Sequence, residues 1–265
     1  MEFTGFLDFW FADRPLIERI EGFARLGIRR LNVWSWRMVD MAALSVECKT
    51  SGCILDSTFD DQMGSLVDPN DNDLTLRSWA ESLEMAERYG VESLFIFSNQ
   101  VDRVSDQSWS RRLSRGVTEA EQYANLLDQT EKILKMVEKT RVKVIAEPLN
   151  TFHIQGGILV HDHDLAADWV RRMNHPQFKM VFDCYHQQLT AGNLFYKMES
   201  CLGLYDAFHV ADVPGRLEPG SGEINFPNLW VKLRSLGYDG YIGLEFKPSR
   251  SEAETFERVK AIFKP

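Results

Sequence analysis

The sequence predicts an α/β fold, a single (β/α)₈ TIM barrel that occupies residues 1–265 as one domain. Eight short apolar runs alternate along the chain with longer amphipathic stretches, and this alternation is typical of parallel strands joined by covering helices. The apolar runs lack a polar residue at every second position, which indicates strands that are buried on both faces. A hydrophobic content of 44% in 265 residues is enough to fill such a core.

The first half of the chain contains four of these strand–helix units. We predict its strands at residues 5–9, 29–34, 52–57 and 93–98, and its helices at 15–26, 38–47, a stretch ending at 89, and 118–139. Pro15 suits the first turn of the first helix, and Gly27 ends it. The fourth helix is preceded by a polar loop that carries Arg103, Arg111, Arg112 and Arg115. We interpret this loop as a solvated surface rather than a phosphate site.

The second half of the chain contains the other four units. We predict its strands at residues 142–148, 178–183, 206–212 and 240–246, and its helices at 165–173, 194–201, 226–236 and 252–263. The run at 142–148 is the clearest strand of the whole sequence. A dinucleotide-binding fold would need a glycine-rich turn after an early strand, and the sequence has none there. One closed barrel is therefore favoured over a doubly wound sheet.

Composition narrows the class of protein and its compartment. Thirty Lys and Arg against thirty-nine Asp and Glu give a net charge of −9, which opposes a broad nucleic-acid-binding surface. Four cysteines without a Cys-x-x-Cys pair indicate buried thiols in a reducing compartment. The sequence starts without a basic leader and contains no apolar run of about twenty residues. We expect a soluble, cytoplasmic protein with no membrane or nucleic-acid partner.

Ligand-type side chains stand at the ends of the last four predicted strands. They are Glu147, Asp183, His209 and Glu245, separated by 36, 26 and 36 residues. Because the carboxyl ends of barrel strands meet on one rim, we expect these side chains to converge. Three ionised carboxylates repel one another unless a cation lies between them. The set predicts a divalent metal ion, Mn²⁺ or Mg²⁺ first, with Co²⁺ or Zn²⁺ as alternatives.

Each of these acids has a simpler interpretation when it is considered alone. A single carboxylate at a strand end commonly pairs with a lysine or caps a helix. Four ligand-type residues in register favour the metal site instead. Two neighbours, His186 in DCYH and Arg216 in VPGR, could each bond a substrate oxygen. Their simpler alternatives are a histidine at a helix N-terminus and an ion pair between Arg216 and Glu218.

Four motifs then resemble a known family. EPLN (147–150), DCYH (183–186), ADVPGRLEPGSGEIN (211–225) and GYDGYIGLEFKP (237–248) resemble the hydroxypyruvate isomerase group of the xylose isomerase-like barrels. Ketose 3-epimerases and endonuclease IV belong to the same superfamily. The resemblance spans the chain in strand order and is dense between residues 147 and 248.

The resemblance implies a role for each predicted site residue. Glu147, Asp183, His209 and Glu245 match the metal ligands of that group, and Glu147 and Glu245 also match its catalytic acid/base pair. His186 and Arg216 match the residues that polarise the carbonyl and hydroxyl oxygens of the substrate. The implied reaction is proton transfer through a cis-enediolate of a small-molecule sugar or hydroxy-keto acid. The resemblance also implies a homodimer or homotetramer.

Departures from that group leave the substrate open. His209 stands where hydroxypyruvate isomerases usually have glutamine, and Asn32 stands where glutamate commonly ends the second strand. A histidine at position 209 is more typical of the sugar epimerases, so a ketose 3-epimerase of the tagatose/psicose type is the alternative. An endonuclease IV-like phosphodiesterase is a distant alternative, because its zinc cluster needs earlier histidines and the first histidine here is His153.

Other candidates have weaker support. HDHD (161–164) has the composition of a metal cluster, but we predict an exposed turn in which Asp164 caps the next helix. His153 could contact the substrate or pack within its loop, and the sequence favours neither. Trp34 and Trp36 could form an apolar wall of the site or belong to the core.

Overall fold

A computed structural model of the chain describes residues 2–59, 63–105 and 108–264. Eight parallel strands close into a barrel, which confirms the predicted fold class. The strands are β1 (Phe3–Phe6), β2 (Arg30–Ser35), β3 (Ile54–Phe59), β4 (Ser93–Ile96), β5 (Lys143–Ala146), β6 (Phe178–Asp183), β7 (Tyr205–Val210) and β8 (Ile242–Leu244). Each strand pairs with its neighbours in the chain, and β1 closes the ring by pairing with β8 at Phe3 and Ile242.

Helices cover the outside of this barrel. They are α1 (Leu16–Leu26), α2 (Met41–Thr50), α3 (Asn72–Tyr89), α4 (Glu119–Val137), α5 (His163–Met173), α6 (Cys184–Thr190), α7 (Leu194–Ser200), α8 (Phe226–Ser235) and α9 (Glu252–Ile262). Their ends follow local chemistry: Thr118 and Glu121 form a capping box at the start of α4, and Gly27 ends α1 with a φ of 82°. Within the described ranges, no helix is both long and apolar enough to span a membrane.

Several predicted elements differ from the structure. The first strand ends at Phe6 rather than at residue 9, because the Phe6 carbonyl accepts hydrogen bonds from the N–H groups of Phe9 and Trp10 and the chain turns there. The short helix α6 begins directly after β6 and was absent from the prediction. Asp162, not Asp164, caps α5, because its carboxylate accepts the Leu165 N–H at 2.9 Å.

The polar loop between β4 and α4 is also more ordered than the sequence predicted. Its segments Val101–Ser105 and Ser108–Arg111 pair as an antiparallel hairpin. A third short strand, Ile154–Gln155, pairs in parallel with the second of them. The two loops that follow β4 and β5 are therefore joined by main-chain hydrogen bonds.

The interior of the barrel is layered. An apolar layer inside it is formed by Phe95, Ile145, Val181 and Ala207, from β4 to β7. Side chains two residues apart on a strand point to the same face, so the next inward-facing layer lies nearer the carboxyl ends of the strands. That layer contains Glu147, Asp183 and His209. The alternation of side chains along three consecutive strands thus places polar groups directly above the apolar layer.

Candidate active site

The structure brings together the four residues that the sequence predicted as a metal site. One ligand atom from each of Glu147, Asp183, His209 and Glu245 lies within 4.8 Å of the others. All four side chains are buried, with at most 2% of their surface exposed. Glu147 and Glu245 directly follow β5 and β8, whereas Asp183 ends β6 and His209 lies near the end of β7. The four therefore form one cluster at the carboxyl end of the barrel.

His209 is oriented toward the carboxylates by its surroundings. Its Nδ1 lies 3.0 Å from Glu245 Oε2 and 4.0 Å from Asp183 Oδ2. Gly243 on the adjacent strand leaves room for the imidazole, because a Cβ atom at position 243 would lie 2.3 Å from His209 Cδ2. A residue with a side chain at 243 would displace the ring from the cluster.

Arg216 provides the positive charge at this cluster. Its Nη2 donates to Glu245 Oε1 at 2.6 Å, so the alternative pairing with Glu218 that the sequence left open is wrong. The guanidinium carbon lies 5.0–5.5 Å from the centres of three aromatic rings, within range for cation–π attraction. The rings belong to Phe9, Trp34 and Tyr185. Of the two tryptophans that the sequence suggested as an apolar wall, Trp34 thus lies against a site residue.

Asp212 organises the loop that carries Arg216. Its buried carboxylate accepts hydrogen bonds from four main-chain N–H groups at 2.9–3.0 Å. The donors are Val213, Gly220, Gly222 and Ile224. Arg216 itself adopts a left-handed φ of 52°, and its main-chain N–H donates to the Asp212 carbonyl. Sequence reasoning missed Asp212, although it stands inside the ADVPGR motif.

His186 lies on α6, beside Glu147. Its main-chain N–H donates to Asp183 Oδ1 at 2.7 Å, which is the N-cap bond of this helix. Its Nε2 lies 3.7 Å from Glu147 Oε1, and its Nδ1 lies 2.9 Å from the main-chain N of Asn150. Burial, together with the positive charge of Arg216, holds the pKa of His186 well below its usual value.

The carboxylates of the cluster differ in pKa. Burial and the charges of its neighbours Glu245 and Asp183 raise the pKa of Glu147 well above its usual value. Burial and the charge of Glu245 raise the pKa of Asp183 to about 7. Burial also acts on Glu245, but Arg216 and the hydrogen bond with His209 outweigh it and lower the pKa of Glu245 to about 2. The protein alone therefore compensates one carboxylate and leaves two under-compensated.

This donor set fits a divalent cation. Three carboxylates face one guanidinium, so a dipositive charge would balance the cluster. Among the described residues, none hydrogen-bonds to Glu147 Oε2, although that atom is buried. Carboxylate oxygens with one imidazole nitrogen are ligands for Mg²⁺, Mn²⁺ or a similar ion, and no thiolate belongs to the group.

The weaker candidates make contacts with nearby residues. In HDHD, His163 is fully buried, and its Nε2 accepts the main-chain N–H of Asp183 at 3.1 Å. His153 lies 3.0 Å from the Tyr185 hydroxyl, beside the rings that surround Arg216. Arg112 forms an ion pair with Asp102 inside the hairpin.

Comparison with known sequences identifies relatives. A family model described as the xylose isomerase-like TIM barrel matches residues 37–263. A putative hydroxypyruvate isomerase from Danio rerio is 32% identical over 130 residues, which are 49% of this chain and 47% of that protein. A 2-oxo-tetronate isomerase from Cupriavidus necator is 36% identical over 107 residues, 40% of this chain and 41% of that protein. The matches thus span less than half the length of these two relatives.

Solved structures share the whole fold. The AP endonuclease, family 2, from Brucella melitensis aligns with a TM-score of 0.86 at 21% identity, covering 100% of this chain and 99% of that one. D-Psicose 3-epimerase with D-tagatose, from Clostridium cellulolyticum H10, aligns with a TM-score of 0.79 at 15% identity, covering 99% and 96%. At these identities the likeness shows the fold alone. Since the family model matches most of the residues and the barrel has the expected fold, the chain belongs to the xylose isomerase-like TIM barrel family.

Proposed function

We propose that this protein is a metal-dependent isomerase of a small hydroxy-keto acid or keto sugar, of the hydroxypyruvate isomerase type. The observation that carries the proposal is the buried cluster of four ligand-type side chains from four consecutive strands. In this proposal Glu147, Asp183, His209 and Glu245 hold a divalent ion, with Mn²⁺ or Mg²⁺ as the first candidates. The names of the two curated relatives, a putative hydroxypyruvate isomerase and a 2-oxo-tetronate isomerase, support the reaction class.

In this proposal the cation polarises the substrate, and the side chains transfer the protons. A divalent ion held here would act as a Lewis acid toward substrate oxygens, which acidifies the adjacent C–H bond. Glu147 and Glu245 then exchange protons with the substrate carbons, one removing a proton and the other returning it. Glu147 is suited to this exchange because a carboxylate that gives one oxygen to the cation keeps its other oxygen for a proton.

Two further residues bind the substrate in this proposal. The guanidinium of Arg216 is held against Glu245 and is partly buried among aromatic rings, so its hydrogen bonds to an oxyanion are strengthened by the low local polarity. His186 lies beside Glu147, with Nε2 3.7 Å from Oε1. These two donors, one beside Glu245 and one beside Glu147, stabilise the negative charge that develops on two adjacent substrate oxygens during proton transfer.

A ketose 3-epimerase is the second candidate, and His209 is the observation that favours it. The same acids would serve, because return of the proton to the same carbon from the opposite face gives an epimer rather than an isomer. His209 Nδ1 faces the carboxylates directly, at 3.0 Å from Glu245, so the histidine is part of the cluster. The substrate therefore has to be found by experiment.

The test is a substrate screen in deuterated water. The protein is stripped with EDTA, reloaded with Mg²⁺ or Mn²⁺, and incubated with hydroxypyruvate, 2-oxo-tetronate, D-fructose and D-tagatose. We expect product formation with loss of one C–H proton signal by NMR, and the carbon affected distinguishes isomerisation from epimerisation. Cleavage of abasic duplex DNA without turnover of any of these compounds would contradict the proposal.

Matched variants separate the site from the scaffold. Glu147→Gln keeps the size of the side chain but cannot accept a proton, so we expect turnover and deuterium incorporation to fall about 10³-fold. Glu92→Gln, at the amino end of the barrel, should leave turnover unchanged. Equal activity of the Glu147→Gln and Glu92→Gln variants would refute the assignment of Glu147.

A further inference from the structure

Asn150 contacts His186 through two of its own groups. It is buried, three residues after Glu147. Its main-chain N and its carboxamide Nδ2 each lie 2.9 Å from His186 Nδ1. Its Oδ1 accepts the main-chain N–H of His153 at 2.9 Å. One side chain therefore connects the loop after β5 to a histidine beside the acid cluster.

The main-chain contact fixes the position of the proton on this imidazole. An amide N–H can only donate, so His186 Nδ1 must present its lone pair and the ring proton must be on Nε2. A doubly protonated ring would place two N–H groups face to face. The carboxamide leads to the same conclusion independently, because the bond from His153 turns Oδ1 toward that residue and Nδ2 toward His186.

A second buried histidine provides a contrast within the same region. His163 accepts the Asp183 main-chain N–H at Nε2, over 3.1 Å, and its Nδ1 lies 2.6 Å from Gln187 Oε1. Its proton must therefore be on Nδ1. The protein holds two neighbouring buried histidines in opposite tautomers, each through an amide partner.

We propose that Asn150 is a positioning residue that holds His186 in the Nε2–H tautomer through its main-chain N–H, with its carboxamide as a second donor. The consequence for the site follows from the direction of that bond. Nε2 lies 3.7 Å from Glu147 Oε1, so the N–H is directed toward the acid cluster. If the proposed function holds, His186 donates a hydrogen bond to a substrate oxygen and does not remove a proton from carbon. Glu147 and Glu245 are then left as the proton-accepting groups.

The test is ¹⁵N NMR of protein labelled at histidine, with Mg²⁺ present. The signals of His186 are assigned by their loss in His186→Gln. We expect a protonated Nε2 and an unprotonated Nδ1 in the wild type, and the opposite pattern for His163. Asn150→Ala keeps the main-chain donor and should keep the tautomer. Asn150→Asp keeps that donor but places a carboxylate oxygen at Nδ1. Because a charge-assisted hydrogen bond is stronger than a neutral one, we expect the carboxylate to draw a proton to Nδ1 while the His163 signals stay unchanged.

Activity provides the second readout. We expect Asn150→Asp to lower kcat about 100-fold, and Asn150→Ala to stay within about ten-fold of wild type. A protonated Nδ1 in the wild type, or in folded Asn150→Ala, would overturn the proposal. If no substrate is turned over by the wild type, the proposed function fails, but the NMR result still decides the tautomer. The two failures are thus distinguishable.

Discussion

Acidic side chains are buried at both ends of the barrel interior, and the two ends differ in the partners that these carboxylates have. At the amino end, Asp56 on β3 forms an ion pair with Arg30 on β2 and accepts the Thr4 hydroxyl at 3.1 Å. Arg30 also pairs with Glu92 at 2.6 Å and lies over the Tyr241 ring. The buried carboxylate at this end is therefore fully partnered by the chain itself.

At the carboxyl end, three buried carboxylates share one arginine. Glu147 keeps a buried oxygen without a described partner, whereas each of the two carboxylate oxygens of Asp56 has one. If this end served stability alone, we would expect further positive side chains beside these carboxylates, as Arg30 stands beside Asp56 at the amino end. The comparison indicates that a buried carboxylate oxygen without a partner marks the functional end of the barrel, and fully partnered carboxylate oxygens mark the structural end.

The largest expected effect on stability comes from removing the ion pair between Arg30 and Asp56 at the amino end. Arg30→Met removes the partner of a carboxylate that is fully buried, so we expect a loss of about 3–5 kcal/mol in the free energy of unfolding. Turnover per folded molecule should stay unchanged, because the acid cluster lies at the opposite end. Urea unfolding and steady-state kinetics on the same preparation measure the two quantities.

The pH dependence of this variant sharpens the comparison. Burial raises the pKa of Asp56, with Arg30 acting against it, so ionisation of Asp56 opposes folding as the pH rises through its folded-state pKa. Without Arg30 the ionised form of Asp56 loses its partner, so its ionisation opposes folding more strongly. The stability difference between wild type and Arg30→Met should therefore be larger at pH 7 than at pH 4. The double variant Arg30→Met/Asp56→Asn should recover part of the loss; no recovery would argue against the ion pair as the cause.

A somewhat smaller effect is expected from adding a cation at the carboxyl end. At a concentration of 100 times its dissociation constant, Mg²⁺ or Mn²⁺ should stabilise the EDTA-treated protein by about 2.7 kcal/mol, because it binds only the folded state. Asp183→Asn should abolish this increment, and Arg30→Met should retain it. An increment of the same size in Asp183→Asn and in the wild type would show that the ion binds elsewhere.

The sequence predicted the fold and the acid cluster for the same physical reason. Continuous apolar runs indicated strands covered on both faces, and the ends of such strands meet on one rim, so Glu147, Asp183 and Glu245 could be placed together without coordinates. Spacing alone was sufficient because the barrel repeats one unit. The position of β1 was less well predicted, because Phe9 and Trp10 continue the apolar run past the turn at Phe6.

Other features depend on side-chain directions that spacing does not encode. The partner of Arg216 was left open between Glu218 and the site, since a left-handed φ at position 216 decides where the guanidinium points. Asn150 was missed because its importance lies in which nitrogen of His186 it faces. Asp212 was missed because its four donors are main-chain groups of a loop, whose path is invisible in the residue pattern.

The smallest expected effect concerns Asp212. This acid lies at the functional end of the barrel, but its two carboxylate oxygens are fully partnered, like those of Asp56 at the amino end. Asp212→Asn replaces one acceptor oxygen with an NH₂ group among main-chain N–H donors, so we expect a loss of about 1–2 kcal/mol in the free energy of unfolding. KM should rise about ten-fold, because the loop presents Arg216 to the substrate in the proposed function.

Glu223 provides the matched control on the same loop. It is an exposed acid that accepts a hydrogen bond from Gln188 at 3.1 Å, so Glu223→Gln should change the free energy of unfolding by less than about 0.5 kcal/mol and leave KM unaltered. If Asp212→Asn loses stability but keeps the wild-type KM, then its carboxylate only holds the loop together. In that case Arg216 would be positioned by its bond to Glu245 and by the three rings around it.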